Sequence, residues 1–454
     1  MKTLLLGLLI FWATLALAQQ PAYLDESKPM DERIDNLLSL MTETEKQALL
    51  DSYQLPKTTG IPRLGIQPFV ADTEPNTMFP SFDCLAATWN TELSRQYGCK
   101  VAEQALYRHV DRLYDPALSE MCEDRYLASQ MISPYIAGVH SYGVEIYQDG
   151  QTNTDTESQE SLLRQILRRH LETTMNKHRP LGLLGTEEQK AVARTIAEEG
   201  IVLLKNDKNI LPLKGNTVRT IWLIGNQAME GLEEQIAQYG ITVRCERMSL
   251  NDALVKSAIA DIVILTEVFA DHKLLPFLKR TPVAIQAWDL GTEGVGALAA
   301  VVCGEVNPSG KLTFVWDDNQ EDTPPLFDFG HGLSYTNFEF TDFTLSSREI
   351  PIGGDIIGTV TVTNIGDREG AVVVQLYIHD IKSSIPKPDK EMKGFQKVNL
   401  KPGESKQLNF IINEQSLMYL NPETQQWWAE PGFYVAFVGD GADNLPLKAR
   451  FHLK

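Results

Sequence analysis

The sequence predicts an α/β fold followed by an all-β module, and three observations carry that prediction. The first part of the chain reads mostly as helices, with a loop and short strand candidate ending at Val70. Between Ile201 and Ile285, short apolar β runs alternate with helical segments, as in a mainly parallel, helix-covered sheet. From Phe338 onward, period-two runs separated by Gly, Pro and Asn/Asp turns continue without helices, as in a β-sandwich of roughly a hundred residues.

The elements follow in order. Met1-Lys2, an apolar run from Leu4 to Leu17 and Ala16-Leu17-Ala18 describe a secretory signal, residues 1–18, with cleavage after Ala18. The run is too short to span a bilayer comfortably and no cysteine follows it, so export to the periplasm or beyond is expected, without a membrane anchor. Ile34, Leu37, Leu38 and Met41 lie at helical spacing, and Thr42 to Lys46 opens a second helix through Leu50. Ile61 to Val70 is a loop leading into a short strand. Asn90 caps a helix from Thr91 towards Tyr107, and another helix runs from about Asp124 to Val139. Asp149 to Glu160 is a polar linker ahead of an amphipathic helix built on Leu162, Leu163, Ile166, Leu167 and Leu171. A helix over Thr186–Glu199 then leads to the apolar strand Ile201–Leu204. Strands at Ile221–Ile224, Ile241–Val243, Ile262–Leu265 and Val283–Ile285 make the sheet. Gly358–Asn364, Ala371–Tyr377, Gln407–Phe410 and Gly432–Gly439 supply the sandwich.

Composition narrows the function. The 454 residues suit two to four domains on a prior of roughly 100–200 residues each, and the hydrophobic fraction of 43% is that of a globular protein. Formal net charge is −19, from 60 acidic and 41 basic residues. That charge repels phosphate backbones, so nucleic acid is not an expected partner, whereas a neutral substrate is compatible. The five cysteines show no CxxC or Cys/His clustering, so no metal site is expected and most thiols should be free.

Two blocks are the most specific in the chain: Val306-Asn307-Pro308-Ser309-Gly310-Lys311-Leu312 and Phe329-Gly330-His331-Gly332-Leu333-Ser334-Tyr335. With Met41-Thr42-Glu43-Thr44-Glu45-Lys46, Ile61-Pro62-Arg63-Leu64-Gly65, Glu123-Asp124-Arg125-Tyr126-Leu127 and Glu199-Gly200-Ile201-Val202-Leu203-Leu204, in this order, they resemble glycoside hydrolase family 3, the β-glucosidase and β-xylosidase family. The resemblance implies a (β/α) barrel-like domain over 19–180, an α/β sandwich over 181–337 and a fibronectin type III-like domain over 338–454. It implies an exo-acting β-glycosidase that hydrolyses O-glycosyl bonds of an oligosaccharide or glycoside by a retaining mechanism, without a cofactor. A complete barrel needs roughly 200–250 residues, more than stand between Gln19 and the sandwich entry. The family's Lys-His and Ser-Asp-Trp segments have no clear counterpart after Val144, nor has its glutamate-rich loop after Leu265. The barrel is therefore shortened, and a second subunit is one way to complete it. A catalytically degenerate relative, acting as a carbohydrate-binding or structural scaffold, is the alternative.

A retaining glycosidase needs two carboxyl groups about 5–5.5 Å apart, one ionised and one protonated. Asp149 follows the strand-like Val144–Tyr147, where a barrel places catalytic groups, and is the candidate nucleophile; its bland reading is an Asp-Gly turn. Glu267 follows the strand Ile262–Leu265, at the edge where open sheets bind ligands, and is the candidate acid/base. Asp72 stands where the resemblance implies an aspartate holding the terminal sugar's hydroxyls; a turn or capping aspartate is the alternative. Trp288 to Gly294 reads as a glycine turn, with Glu293 a structural hydrogen-bonder. Trp427-Trp428 is expected to pack in the core or a hairpin in preference to offering a sugar-stacking face.

Overall fold

The computed structural model describes residues 21–53, 55, 57–71, 78–114, 122–147, 159–176, 178–215, 217–227, 229–268, 274–316, 325–351, 353–421 and 425–454. They form two compact units: residues up to 75 with 101–115 and 139–184, and residues 76–100 with 116–138 and 185–454. Residues 1–18, the expected export signal, lie outside the described residues. Among those described, no helix is long and apolar enough to cross a membrane.

The first unit begins with the helices Met30–Leu40 and Glu43–Ser52. Thr42 separates them through a reciprocal cap: Glu45 N–H donates to Thr42 Oγ1, and Thr42 N–H to Glu45 Oε2 at 2.8 Å. The amphipathic helix Gln159–Glu172 buries Leu163, Ile166, Leu167 and Leu171 against Ile34, Leu37 and Leu49. Each such side chain contributes roughly 1.5–3 kcal/mol by burial. Beside this layer, β1 (Arg112–Tyr114) pairs in parallel with β2 (Glu145–Tyr147), and Ala71 bridges to Arg112, also in parallel. Three parallel segments are what the described residues of this unit retain of a barrel.

The second unit holds a five-stranded sheet in the order β3-β7-β6-β4-β5, from β3 (Val202–Asn206), β4 (Arg219–Ile224), β5 (Val243–Met248), β6 (Ile262–Leu265) and β7 (Val283–Gln286). β4 to β7 run parallel, and β3 is antiparallel to β7. β6 and β7 are buried at every position, as their unbroken apolar runs require. β5 begins at Val243, where Ile241–Val243 was expected to be the strand. Trp288 to Gly294 leads into an apolar helix, Gly294–Cys303, that packs on the helix Glu187–Gly200. That second helix starts at a Thr186–Gln189 capping box. Glu293 stands at the N-cap position of Gly294–Cys303 without a side-chain cap bond, so its expected structural hydrogen bond is not made there.

The sandwich comprises β8 (Phe338–Leu345), β9 (Glu349–Ile350), β10 (Asp355–Asn364), β11 (Gly370–Asp380), β12 (Glu391–Leu400), β13 (Ser405–Asn413), β14 (Tyr419–Leu420), β15 (Trp427–Trp428), β16 (Gly432–Gly439) and β17 (Leu447–Leu453). One sheet has the order β13-β10-β8 and the other β12-β11-β16-β17-β9. β10 alternates strictly, burying Ile356, Val360 and Val362 against Leu376, Ala436 and Phe451 of the facing sheet. β14 and β15 make a separate hairpin. Trp427 and Trp428 pair in it as expected but remain 68% and 49% exposed, so they do not join the core. All five cysteines are free.

Candidate functional site

The order β5-β4-β6-β7 places the topological switch point between β4 and β6, where successive connections leave in opposite directions. A crevice forms there beyond the carboxyl ends of the strands, the usual ligand position of an open α/β sheet. Glu267 sits in it, half-buried, two residues past β6. Asn226, two residues past β4, donates from Nδ2 to Glu267 Oε2 at 2.5 Å. Gln286, at the end of β7, donates to the Glu267 carbonyl at 3.2 Å, and Arg247 of β5 donates to the Asn226 carbonyl at 2.6 Å. Gly225 between them has φ 131°, and a Cβ there would lie 2.4 Å from Thr266 Oγ1, so the two strand ends approach as closely as backbone allows. The structure thus brings Glu267 to the crevice that its place after an apolar strand suggested. Asn226 and Arg247 join it through strand pairing. The motif Ile-Gly-Asn after β4 was the only sequence signal for Asn226.

Asp72 and Asp149 lie outside the described residues. What the first unit does show is a charged centre the sequence reading did not assign. Arg112 and Glu145 face each other across the β1–β2 pair, almost wholly buried, with Arg112 Nε 3.4 Å from Glu145 Oε2. Arg112 donates to the Tyr53 carbonyl at 2.9 Å and lies over the rings of Tyr53 and Phe69. Arg169 approaches the other Glu145 oxygen at 3.4 Å. Burial pushes the Glu145 carboxyl upward, against the pull of the two arginines. The available signal was charge set between apolar neighbours: Glu145 between Val144 and Ile146, and Asp111-Arg112 between Val110 and Leu113. A polar cleft of about 420 Å³, lined by His140, Glu145, Arg169, Glu172 and Arg179 among others, opens at the amino end of β2. Catalytic groups of (β/α) barrels project from the opposite, carboxyl end. The cleft is therefore not the position of the expected nucleophile.

The two signature blocks of the sequence meet in the second unit. Leu312 N–H donates to the His331 carbonyl at 2.8 Å, and Gly330 N–H to the Leu312 carbonyl at 3.0 Å. A Cβ on Gly332 would stand 2.2 Å from the Gly310 carbonyl oxygen, which explains the glycines. Lys311 Nζ donates to the Gly332 carbonyl at 2.9 Å. His331 places Nδ1 3.0 Å from Asp443 Oδ2 and Nε2 2.9 Å from the Leu204 carbonyl, so both ring nitrogens face oxygen partners. Trp89, fully buried, packs on Phe329 and Phe395 and donates to the Lys311 carbonyl. These blocks hold the α/β sheet and the sandwich together.

An α/β sheet with an open switch-point crevice, a β-sandwich joined to it through this lock, and a small set of parallel strands in the other unit define a multidomain α/β plus all-β protein. Residues 248–335 match the glycosyl hydrolase family 3 C-terminal domain, and residues 372–442 match a fibronectin type III-like domain. A β-glucosidase of Bacteroides ovatus is 24% identical, with 94% of this chain and 95% of that protein within the alignment. That alignment runs over 710 positions, well beyond the 454 residues here, so long segments of the relative face gaps. Thermostable β-glucosidase B of Acetivibrio thermocellus is 35% identical over 205 residues, covering 38% of this chain but only 27% of that protein. Among solved structures, β-glucosidase 3B of Thermotoga neapolitana superposes with a TM-score of 0.73 at 19% identity, covering 92% of this chain and 99% of that one. A β-D-glucoside glucohydrolase of Trichoderma reesei gives 0.74 at 16%, covering 94% and 99%. The chain is thus similar to glycoside hydrolase family 3 proteins, in a shortened form.

Proposed function

We propose that the protein is an exported, β-glucosidase-like exo-glycosidase that acts on the terminal β-linked sugar of a neutral oligosaccharide or glycoside. The observation that carries this reading is the collinear match to a curated β-glucosidase along 94% of the chain. In the proposed mechanism Asp72 accepts hydrogen bonds from hydroxyls of the terminal sugar and fixes it in the exo position. The ionised Asp149 carboxylate attacks the anomeric carbon, while the protonated Glu267 carboxyl donates its proton to the departing glycosidic oxygen. Glu267, ionised by that donation, then takes a proton from water, whose oxygen displaces Asp149 and returns the sugar with its original anomeric configuration. Asn226 holds the Glu267 carboxyl in a single orientation through its 2.5 Å contact. The reaction needs no cofactor. The N-terminal signal and the similarity to a periplasmic β-glucosidase of Salmonella typhimurium, 37% identical over 185 residues, support export.

A second reading is favoured by one specific observation: the alignment with that β-glucosidase runs over 710 positions against the 454 residues of this chain, so long segments of the relative have no counterpart here. On that reading the scaffold binds a glycan without turning it over. Hydrolysis of a dinitrophenyl β-glucoside separates the two, because its leaving group needs little acid assistance and exposes any surviving nucleophile. Turnover that disappears in Asp149→Asn supports the glycosidase. Glucose binding without turnover supports the scaffold, and turnover unchanged in Asp149→Asn removes Asp149 from the mechanism.

A further inference from the structure

The β-sandwich carries a second concave surface that the glycosidase reading does not use. A cleft of about 670 Å³ opens between β8 and β17. Its walls include Phe343 of β8, Phe433 of β16 and Phe451 of β17, and Arg348, Lys448 and Arg450 supply its charge. No carboxylate lines it, in a chain where acidic residues outnumber basic ones by 60 to 41. Among the described residues none of the three cations forms an ion pair. The nearby Glu349 is taken by Lys454 at 2.6 Å.

The register of β16 and β17 produces this surface. Phe433 lies opposite His452, Val435 opposite Arg450 and Phe437 opposite Lys448, so apolar and cationic side chains share one face. The Arg450 guanidinium rests 4.1 Å from the Phe433 ring centre, and the His452 ring packs at 4.7 Å from the same ring. Phe433 nevertheless stays 50% exposed. β9 pairs only with His452 and Leu453, so β17 is an open sheet edge from Leu447 to Phe451. Cations on such an edge deter strand addition, but that role gives no reason to hold the half-exposed Phe433 ring beside them around a hollow.

Aromatic faces accept the C–H face of a sugar ring, and unpaired guanidinium and ammonium groups accept carboxylates. A neutral sugar would leave three cations unanswered. A long phosphodiester would be repelled by the net charge of −19 beyond the few contacts the cleft can make. We propose that the cleft binds a short, carboxylate-bearing oligosaccharide, with uronic acid rings on Phe433 and Phe343 and their carboxylates on Arg450, Lys448 and Arg348. The proposal rests on the reading of the protein as one that handles glycans, but not on its turning them over.

Isothermal titration of the full chain with tetragalacturonate tests it, with cellotetraose and a four-nucleotide thymidine oligomer as comparison probes. Saturable binding of tetragalacturonate is expected, weakened roughly tenfold by Arg450→Gln or Lys448→Gln and by salt, and weakened also by Phe433→Ala. All three side chains are exposed, so thermal melts of the variants should match the parent. Absence of saturable binding, binding unchanged in the variants, or equal binding of cellotetraose overturns the proposal. Equal or tighter binding of the thymidine oligomer overturns the sugar assignment. Aryl-glucoside hydrolysis, measured in the same preparations, is expected to be unchanged by the cleft variants. Hydrolysis without tetragalacturonate binding sinks the cleft proposal alone, and binding without hydrolysis sinks the glycosidase reading alone.

Discussion

Replacing Arg112 by Met tests how the shortened barrel unit is held together. The guanidinium sits 3.4 Å from Glu145, donates to the Tyr53 carbonyl at 2.9 Å and covers two aromatic rings. Methionine retains much of the apolar stem but removes every polar contact. Removing one partner of a buried ion pair costs roughly 3–5 kcal/mol, because the other charge is left without compensation. Arg169, 3.4 Å from the other Glu145 oxygen and partly exposed, offsets some of this. The expected loss therefore lies near the lower end, about 3 kcal/mol. Arg112→Met/Glu145→Leu removes both charges and should return to within about 1 kcal/mol of the parent, a recovery of about 2 kcal/mol relative to Arg112→Met. Urea-dependent hydrogen exchange at the Leu113 and Ile146 amides reads this unit separately from the rest of the chain. A single-variant loss below about 1 kcal/mol, or a double variant no better than the single, would refute the reasoning.

His170 is fully buried, stacked on Phe69 at 4.0 Å, and burial depresses its pKa from 6.5 to about 3. Folding thus favours the neutral ring: stability is fully present above pH 6.5 and falls as pH drops from there towards 3, by at most about 1.4 kcal/mol per pH unit. Denaturant midpoints measured across that window should show this acid limb, and His170→Phe should flatten it. Gly332→Ala should lower the melting temperature sharply, since the new Cβ meets the Gly310 carbonyl at 2.2 Å and must separate the two signature blocks. Lys397 bonds Glu199 and the Thr88 carbonyl, each at 2.8 Å, and burial lowers its pKa. Lys397→Met should cost roughly 2–4 kcal/mol in urea unfolding by leaving Glu199 short of its cation.

How much was legible in the sequence follows from which interactions are local. The alternation of β10 is written in its period, and the buried stripe of Gln159–Glu172 in its 3.6-residue spacing. The cap at Asn90 is also a short-range signal and made the expected bond, and Thr42 and Thr186, expected at helix starts, form capping boxes there. Glu267 was found because an acidic residue followed an unbroken apolar strand. Its partner Asn226 was not, because only the order of strands in the sheet brings them together. Arg112 and Glu145 escaped for the same reason: a parallel register is not encoded in either strand alone. Trp427 and Trp428 were expected to lose their exposure on pairing. A two-stranded hairpin apart from both main sheets gives them a partner strand but no layer to cover them.

The account stands most directly on whether this chain forms a glycosyl–enzyme bond. A deoxyfluoro glucoside carrying a dinitrophenolate leaving group slows the second step and traps the first. Incubation, proteolysis and peptide mass spectrometry would locate the sugar. The account predicts one adduct, on the peptide containing Asp149, absent from Asp149→Asn and still formed in Glu267→Gln. An adduct on any other carboxylate, or none at all, would contradict it.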